Sequence, residues 1–499
     1  MKFDFYRREF VAVEEFSDKA ALISHQKITS WQQLQQQVEQ TRERIAQQAG
    51  DGPVVIYGHK QHEFVITMLA CIQLSVPYVP VDTIYPRDRL LAIQQQLGCG
   101  LLVDLEQQQW SRFDLGECWV NNPDQQLMYI LFTSGSTGDP KGVQITYDAF
   151  QDFWGWVESD FPMNSNSVTL SQSLFTFDVS MMDMATAMGH GGSLLLIDRD
   201  IYQDHQTFFA LLKDHGCTDW VSTPSFVTKW LMAKDFNQQN FPALKRFTLA
   251  GEALPHRIAS QLNQRFGDGC VYNAYGPTEA TVVVTLLKVD QQLLTEHPGN
   301  LPIGYTKTSG EVVVLDEQGE VTDGEGEIVI CGNNVSVGYL DPQLPANKAF
   351  FTRNGMRAYR TGDYGYFKGE VLYYLGRRDD QIKLNGYRIE TTEIEKVLDQ
   401  ADGVESSVVL GLKRGDKVVR LIAFAFQNSK DYSSERSQML QQQLAARLPE
   451  YMVPSEILLA DVGCIPFNNN HKVDGKKLLA LYQADDIQTL QVDELAEIA

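Results

Sequence analysis

Apolar residues along the chain gather into short runs, and amphipathic stretches separate the runs. Val54-Val55-Ile56-Tyr57 is rich in β-branched and aromatic residues and predicts a buried strand. Glu63 to Leu74 follows with apolar residues at helical spacing and predicts a helix. Leu101-Leu102-Val103, Tyr129-Ile130-Leu131-Phe132, Ser193 to Ile197 and Trp220-Val221-Ser222 continue the series as strands. Repeated alternation of this kind predicts α/β layers with mostly parallel sheets. The glutamine-rich run Trp31 to Gln48 keeps apolar residues at Leu34, Val38 and Ile45, so it reads as a solvated helix rather than a low-complexity tail.

From about residue 300 the texture changes. Glu311 to Leu315, Gly326 to Ile330 and Gly369 to Tyr374 are short strands between Gly and Asp turns, which predicts a β-rich subdomain over about 300–375. A charged stretch, Gly376-Arg377-Arg378-Asp379-Asp380, comes next. Beyond it, Ile394 to Leu398 and Gln438 to Leu448 read as helices around a strand from Val419 to Phe426. The expected division is a large layered α/β domain over 1–378 and a small α+β domain over 379–499, with the boundary at Asp379. The acidic end, Asp485 to Ala499, is expected to fray.

Charge narrows the function. Asp plus Glu number 64 against 42 Lys plus Arg, a net charge of −22, which excludes a general binder of nucleic acid or anionic membrane. Seven cysteines are scattered without any C-x-x-C pair, which argues against a zinc site or a disulfide framework and for reduced thiols. No stretch approaches the ~18 apolar residues of a membrane span. The first ten residues mix charges with aromatics, unlike a signal peptide. A cytoplasmic protein with no direct membrane insertion is expected.

Candidate chemistry begins after the strand Tyr129 to Phe132. Thr133-Ser134-Gly135-Ser136-Thr137-Gly138-Asp139-Pro140-Lys141-Gly142 offers close backbone approach, hydroxyl donors and a cation, the ingredients of a phosphate cradle. Pro140 stands where a Walker A loop needs Gly, and no G-x-G-x-x-G fingerprint occurs. The loop resembles the signature of the adenylate-forming enzymes, which include acyl-CoA synthetases, luciferases and adenylation domains of nonribosomal peptide synthesis. Further blocks resembling that family occur in the expected order, and together they span about residues 129 to 478.

The second block is Asn273-Ala274-Tyr275-Gly276-Pro277-Thr278-Glu279-Ala280-Thr281. The resemblance implies that Tyr275 stacks near adenine with Asn273 and Ala274 beside it, that Thr278 contacts the α-phosphate, and that Glu279 helps hold Mg²⁺. A hard cation suits a carboxylate. The third block, Tyr359-Arg360-Thr361-Gly362-Asp363, implies that Asp363 binds the ribose hydroxyls. The fourth, Gly376 to Glu390, is similar to the family hinge: Arg377 would contact ribose or phosphate, and Asp379 would absorb a rotation of the small domain. The fifth, Pro466-Phe467-Asn468-Asn469-Asn470-His471-Lys472-Val473-Asp474-Gly475, resembles the motif carrying the family's catalytic lysine, here Lys472. His471 and Gly475 replace its usual Gly and Arg.

Phe175-Thr176-Phe177-Asp178-Val179-Ser180 contains the position at which amino-acid-activating members place an Asp for the substrate ammonium. A buried carboxylate needs such a counter-charge, so Asp178 favours an amine on the ligand, while the bland alternative is an N-cap. Order and spacing most resemble freestanding amino acid:carrier protein ligases, such as those loading D-alanine in teichoic acid modification or glycine in lipid A modification. In the D-alanine group a Cys precedes the Gly-Glu of the pocket strand; here Ala250 precedes Gly251-Glu252, which favours glycine while leaving room for alanine. Gly276 and Val282 are expected to line the same pocket. The resemblance implies ATP and Mg²⁺ as cofactors and a separate phosphopantetheinylated carrier protein as partner. Two rivals stand beside this reading: an acyl-CoA ligase for a small organic acid, and a degenerate adenylation fold serving as sensor or scaffold. Gly191-Gly192-Ser193-Leu194, superficially similar to a phosphopantetheine attachment site, is expected to be structural because it runs directly into a strand.

Overall fold

The computed structural model describes residues 1–12, 18–50, 52–116, 126–135, 140–161, 163–299, 301–307, 309–377, 381–414, 417–466, 473–484 and 486–491. The chain forms two compact units. The first comprises Met1–Thr83, Ile93–Phe132 and Gly142–Arg378; the second comprises Ile84–Ala92, Thr133–Lys141 and Asp379–Ala499.

In the first unit the run at Val54 becomes the strand Val54–Gly58, parallel to Tyr78–Asp82 on one side and Cys99–Asp104 on the other. The strand Leu127–Thr133 continues this six-stranded sheet. Val168–Ser171, Ser193–Leu196, Asp219–Ser222, Arg246–Leu249 and Val271–Tyr275 form the parallel middle of a nine-stranded sheet, with antiparallel strands at both ends. The helices His62–Leu74, Tyr147–Asp160 and Val179–His190 share one buried cluster with strands of both sheets. Ten residues of His62–Leu74 are buried, so it is apolar all round, as a helix packed on several sides must be. A second, aromatic-rich cluster includes Phe208 stacked on Trp230 at 4.1 Å. The β-rich texture after residue 300 becomes a five-stranded antiparallel sheet from Glu311–Leu315 to Val371–Arg377.

Local signals explain where elements start. The helix Trp31–Gln48 opens on a capping box in which Ser30 and Gln33 satisfy each other's backbone N–H. Its buried stripe contains Leu34, Val38 and Ile45 and leaves the glutamines to solvent. Gly191 caps the helix Val179–His190 at φ +72, and the Ser193 hydroxyl donates to the Ala20 carbonyl at 2.6 Å. That segment is structural, as its position before a strand implied.

The second unit holds the hairpin Gln381–Leu384 with Tyr387–Glu390 and a three-stranded sheet of Val404–Arg414, Lys417–Gln427 and Glu456–Asp461. The helices Thr391–Asp399 and Ser434–Arg447 pack their apolar residues with that sheet. Most of the acidic end lies outside the described residues. One expectation is corrected: Cys99 is disulfide-bonded, whereas Cys71, Cys217, Cys270, Cys331 and Cys464 are free. Scattered spacing carried no sign of that bridge. Among the described residues, no helix is long and apolar enough to cross a membrane.

Candidate active site

Three blocks from the sequence meet in the first unit. Tyr275 ends a strand of the nine-stranded sheet. Asp363 and Arg377 face each other across neighbouring antiparallel strands of the five-stranded sheet. The Tyr275 hydroxyl donates to Asp363 Oδ2 at 2.6 Å, and Arg377 Nη1 donates to Asp363 Oδ1 at 2.9 Å and to the Thr361 carbonyl at 3.0 Å. All three side chains are largely buried, and Asp363 is 2% exposed. Burial, reinforced by the Asp363 charge, holds the Tyr275 phenol well above its ordinary pKa, so it remains a donor. The arrangement presents a fixed carboxylate, a guanidinium and an aromatic ring, the donor set that suits a ribose phosphate with a base.

Glu279 follows on a short 3-10 turn, Thr278–Ala280, and is fully buried. The Tyr339 hydroxyl donates to its Oε1 at 2.7 Å. The turn is pinned by Asn334, whose amide donates to the Ala280 carbonyl at 3.0 Å and whose carbonyl accepts from the Thr281 hydroxyl at 2.7 Å. Thr281 and Val282 take φ of +58 and +70, a conformation that β-branched residues rarely adopt. Asn273 donates to the Pro302 carbonyl at 2.9 Å, so its amide braces the strand end. Ala274, Ala250 and Val282 are all buried in one cluster with Phe175 and Met181. A Cβ on Gly276 would stand 2.5 Å from Val283 Cα and 2.7 Å from the Val282 carbonyl.

Asp178 sits at the N-terminus of the helix Val179–His190, where a capping Asp would sit. It does not cap: its backbone is already helical, at φ −61 and ψ −26, and its side chain makes no capping bond. The carboxylate is buried and lies close enough to Tyr129 to help burial push that hydroxyl well above its ordinary pKa.

The phosphate-loop residues belong to the second unit. Ser134 Oγ donates to the Arg388 carbonyl at 2.9 Å, and Lys141 is buried with its ammonium 3.8 Å from Glu390 Oε1. Thr133 Oγ1 is buried without a hydrogen-bond partner among the described residues. Gly135 is described, while Ser136, Thr137 and Gly138 lie outside the described residues, as do Asp379 and Lys472. The sequence reading missed Lys60, Ser171 and Asp183, a buried polar group beside Phe175. A Lys in a loop and an Asp inside a Met-rich helix carry no pattern that joins them.

The fold and the match to a family model together show an AMP-binding enzyme. Residues 10–340, well over half of the chain, match the family model described as AMP-binding enzyme. The chain belongs to this family of adenylate-forming enzymes. It is 38% identical over 487 residues to a D-alanine–D-alanyl carrier protein ligase of Bacillus licheniformis, covering 92% of this chain and 96% of the relative. The ligase of the same description from Bacillus cytotoxicus is 37% identical, covering 93% and 97%. The fold is also that of the Vibrio cholerae adenylation domain AlmE in complex with glycyl-adenosine-5'-phosphate (TM-score 0.79, 22% identity, 94% of this chain and 95% of that one). The Bacillus subtilis o-succinylbenzoate CoA synthetase shares it too, with a TM-score of 0.78 at 20% identity, covering 96% of this chain and 98% of that one.

Proposed function

We propose that the protein uses ATP to activate a small amino acid as the aminoacyl adenylate and passes the aminoacyl group to the phosphopantetheine thiol of a separate carrier protein. The observation that carries this reading is Asp178, a buried carboxylate that stands at a helix start without capping it. A substrate ammonium supplies the counter-charge that a buried carboxylate needs. The full-length likeness to carrier protein ligases supports the transfer step.

In the first step a carboxylate oxygen attacks the α-phosphorus, the bond to the β-phosphate oxygen breaks, and pyrophosphate leaves. In the second the carrier sulfur attacks the acyl carbon, the bond to AMP breaks, and the thiol proton is lost to solvent. Tyr275 is assigned to the adenine, Asp363 to the ribose hydroxyls, Arg377 to the ribose phosphate and Thr278 to the α-phosphate. Residues 133–142 are assigned to the outer phosphates. Lys472 is assigned to the negative charge that grows as two anions meet, and Asp379 to the turn between half-reactions. Glu279, a buried carboxylate that accepts from Tyr339, would help hold Mg²⁺ together with nucleotide phosphates, and the ion would screen phosphate charge.

Ala250, Ala274 and Val282 lie together in one buried cluster and are assigned to the wall around the substrate side chain. Glycine is the first choice and alanine the second, and the proposed pathway is cell-envelope modification of the lipid A or teichoic acid type, served from the cytoplasm. ATP–pyrophosphate exchange with glycine, D-alanine, L-alanine and L-serine, set against short fatty and aryl acids, tests the reading. Exchange is expected with glycine or alanine and is expected to collapse in Asp178→Asn. Exchange driven by acids without an amine would refute it.

A further inference from the structure

Lys60 lies between the strand Val54–Gly58 and the helix His62–Leu74, at the carboxyl end of the six-stranded sheet. Its ammonium is buried, donates to Ser171 Oγ at 3.0 Å, and stands 4.0 Å from the centroid of the Phe175 ring. Ser171 ends the strand Val168–Ser171 of the nine-stranded sheet. A cation rooted in one sheet is therefore anchored to the other, at the point where the chain leaves for Thr176 and Asp178. The Phe175 ring also stacks on Phe64 at 4.7 Å, so its position is fixed from the same helix and loop.

Two carboxylates face Lys60. Asp82 is engaged by His59 Nδ1 at 2.7 Å and by Arg199 at 3.6 Å. Asp183, on the helix that Asp178 opens, is fully buried, and the Ser171 hydroxyl that accepts from Lys60 also lies against its carboxyl. Burial drives the Asp183 carboxyl well above its ordinary pKa, and Lys60 opposes that shift. Burial lowers the Lys60 ammonium to about 8, against the pull of Asp183 and Asp82. Both carboxylates favour the charged form of Lys60, Asp183 the more strongly. A buried ammonium over an aromatic face is a strong contact because water does not compete for it.

We propose that Lys60 is a positioning residue of the amino-acid site: its ammonium grips Ser171 and the Phe175 ring and so holds the turn that presents Asp178. The role rests on the amino-acid reading above, and Lys60 acts through Phe175 rather than on the substrate.

The test is ATP–pyrophosphate exchange by the full chain with glycine and with alanine, comparing Lys60→Met, Asp183→Asn, the double variant and Phe175→Leu. Lys60→Met is expected to raise the amino-acid KM about thirtyfold, the scale of one desolvated cation–π contact, with the KM for ATP and kcat within about twofold of wild type. The double variant is expected to match Lys60→Met rather than to multiply the two single effects, because the pair works as a unit. Phe175→Leu keeps both charges and is expected to give the same selective rise; it carries the test if Lys60→Met does not fold, which thermal melting reports. Folded variants with unchanged amino-acid KM would overturn the proposal, as would amino-acid and ATP KM rising together. Wild-type protein that exchanges with no amino acid would instead refute the substrate reading, and this inference with it.

Discussion

Replacing Tyr275 by Phe removes one oxygen and keeps the ring that packs among Ala280, Val284 and Tyr359. The oxygen lost is the donor of a 2.6 Å bond to Asp363 Oδ2, while Asp363 Oδ1 keeps Arg377 at 2.9 Å. A hydrogen bond to a charged group contributes about 1.5–3 kcal/mol, and with half of the carboxylate still held the lower end applies, about 1.5 kcal/mol. If that bond aims Asp363 at a ribose, AMP binding should weaken about tenfold, since 1.4 kcal/mol is a factor of ten. Asp363→Ala is a different perturbation. It removes both bonds and leaves the largely buried Arg377 without its counter-charge, a change of about 3–5 kcal/mol. Isothermal titration of AMP into the three proteins should give affinities falling in the order wild type, Tyr275→Phe, Asp363→Ala, with the last at least a hundredfold weaker. The Tyr275 phenol stays protonated far into alkaline pH, so the wild-type to Phe ratio should be the same at pH 7 and pH 9. Equal AMP affinity for wild type and Tyr275→Phe would refute the idea that this hydroxyl orients the carboxylate. A ratio that collapsed by pH 9 would refute the burial argument.

Gly276→Ala should cost at least a hundredfold in exchange activity, because the new Cβ meets backbone at 2.5 and 2.7 Å and neither atom can swing away; exchange kinetics beside a melting curve would show it, and near-normal activity would mean the turn opens easily. His62 supplies a pH test: burial and Lys27 lower its pKa from 6.5 to about 4, with Glu63 opposing, so the fold holds it neutral while an unfolded chain would bind the proton. Its contribution is therefore complete above about pH 6.5 and lost as pH falls towards 4, and melting temperature should drop between pH 7 and pH 5 more steeply in wild type than in His62→Gln. Parallel slopes would show that His62 titrates normally. Ser30→Ala should destabilise the first unit by about 1 kcal/mol, the usual worth of an N-cap, without changing the KM for any substrate. A shift in KM would contradict a purely local role for the cap.

What was legible in the sequence was whatever is encoded locally. The run at Val54, the spacing of Leu34, Val38 and Ile45, and the turn glycines after residue 300 each needed only their neighbours to be read. The Tyr275, Asp363 and Arg377 blocks were legible because each sits on a short recognisable segment, and the fold brings them together across 88 and 14 residues. Lys60 was not legible. Its partner Ser171 is 111 residues away in a different sheet, and a lone Lys before a helix normally points to water. The Asp178 choice could not be made from residue types either, since an Asp before an apolar helix is the usual cap. The dihedrals and the missing capping bond speak against the cap, and the contact with a substrate amine belongs to the proposed function.

The turn after Glu279 carries backbone strain. Two consecutive β-branched residues, Thr281 and Val282, hold positive φ, at a cost of about 1–3 kcal/mol each. Such a conformation persists only if its surroundings over-determine it, and here Asn334 does so through two bonds to the turn. Relaxing the strain would swing Val282 out of the cluster it shares with Ala250 and Ala274. The strain thus goes with a branched side chain held in the buried cluster beside Gly276. The strained turn and the non-capping Asp178 are the two local departures from ordinary geometry at the residues assigned to the amino acid in the proposed function.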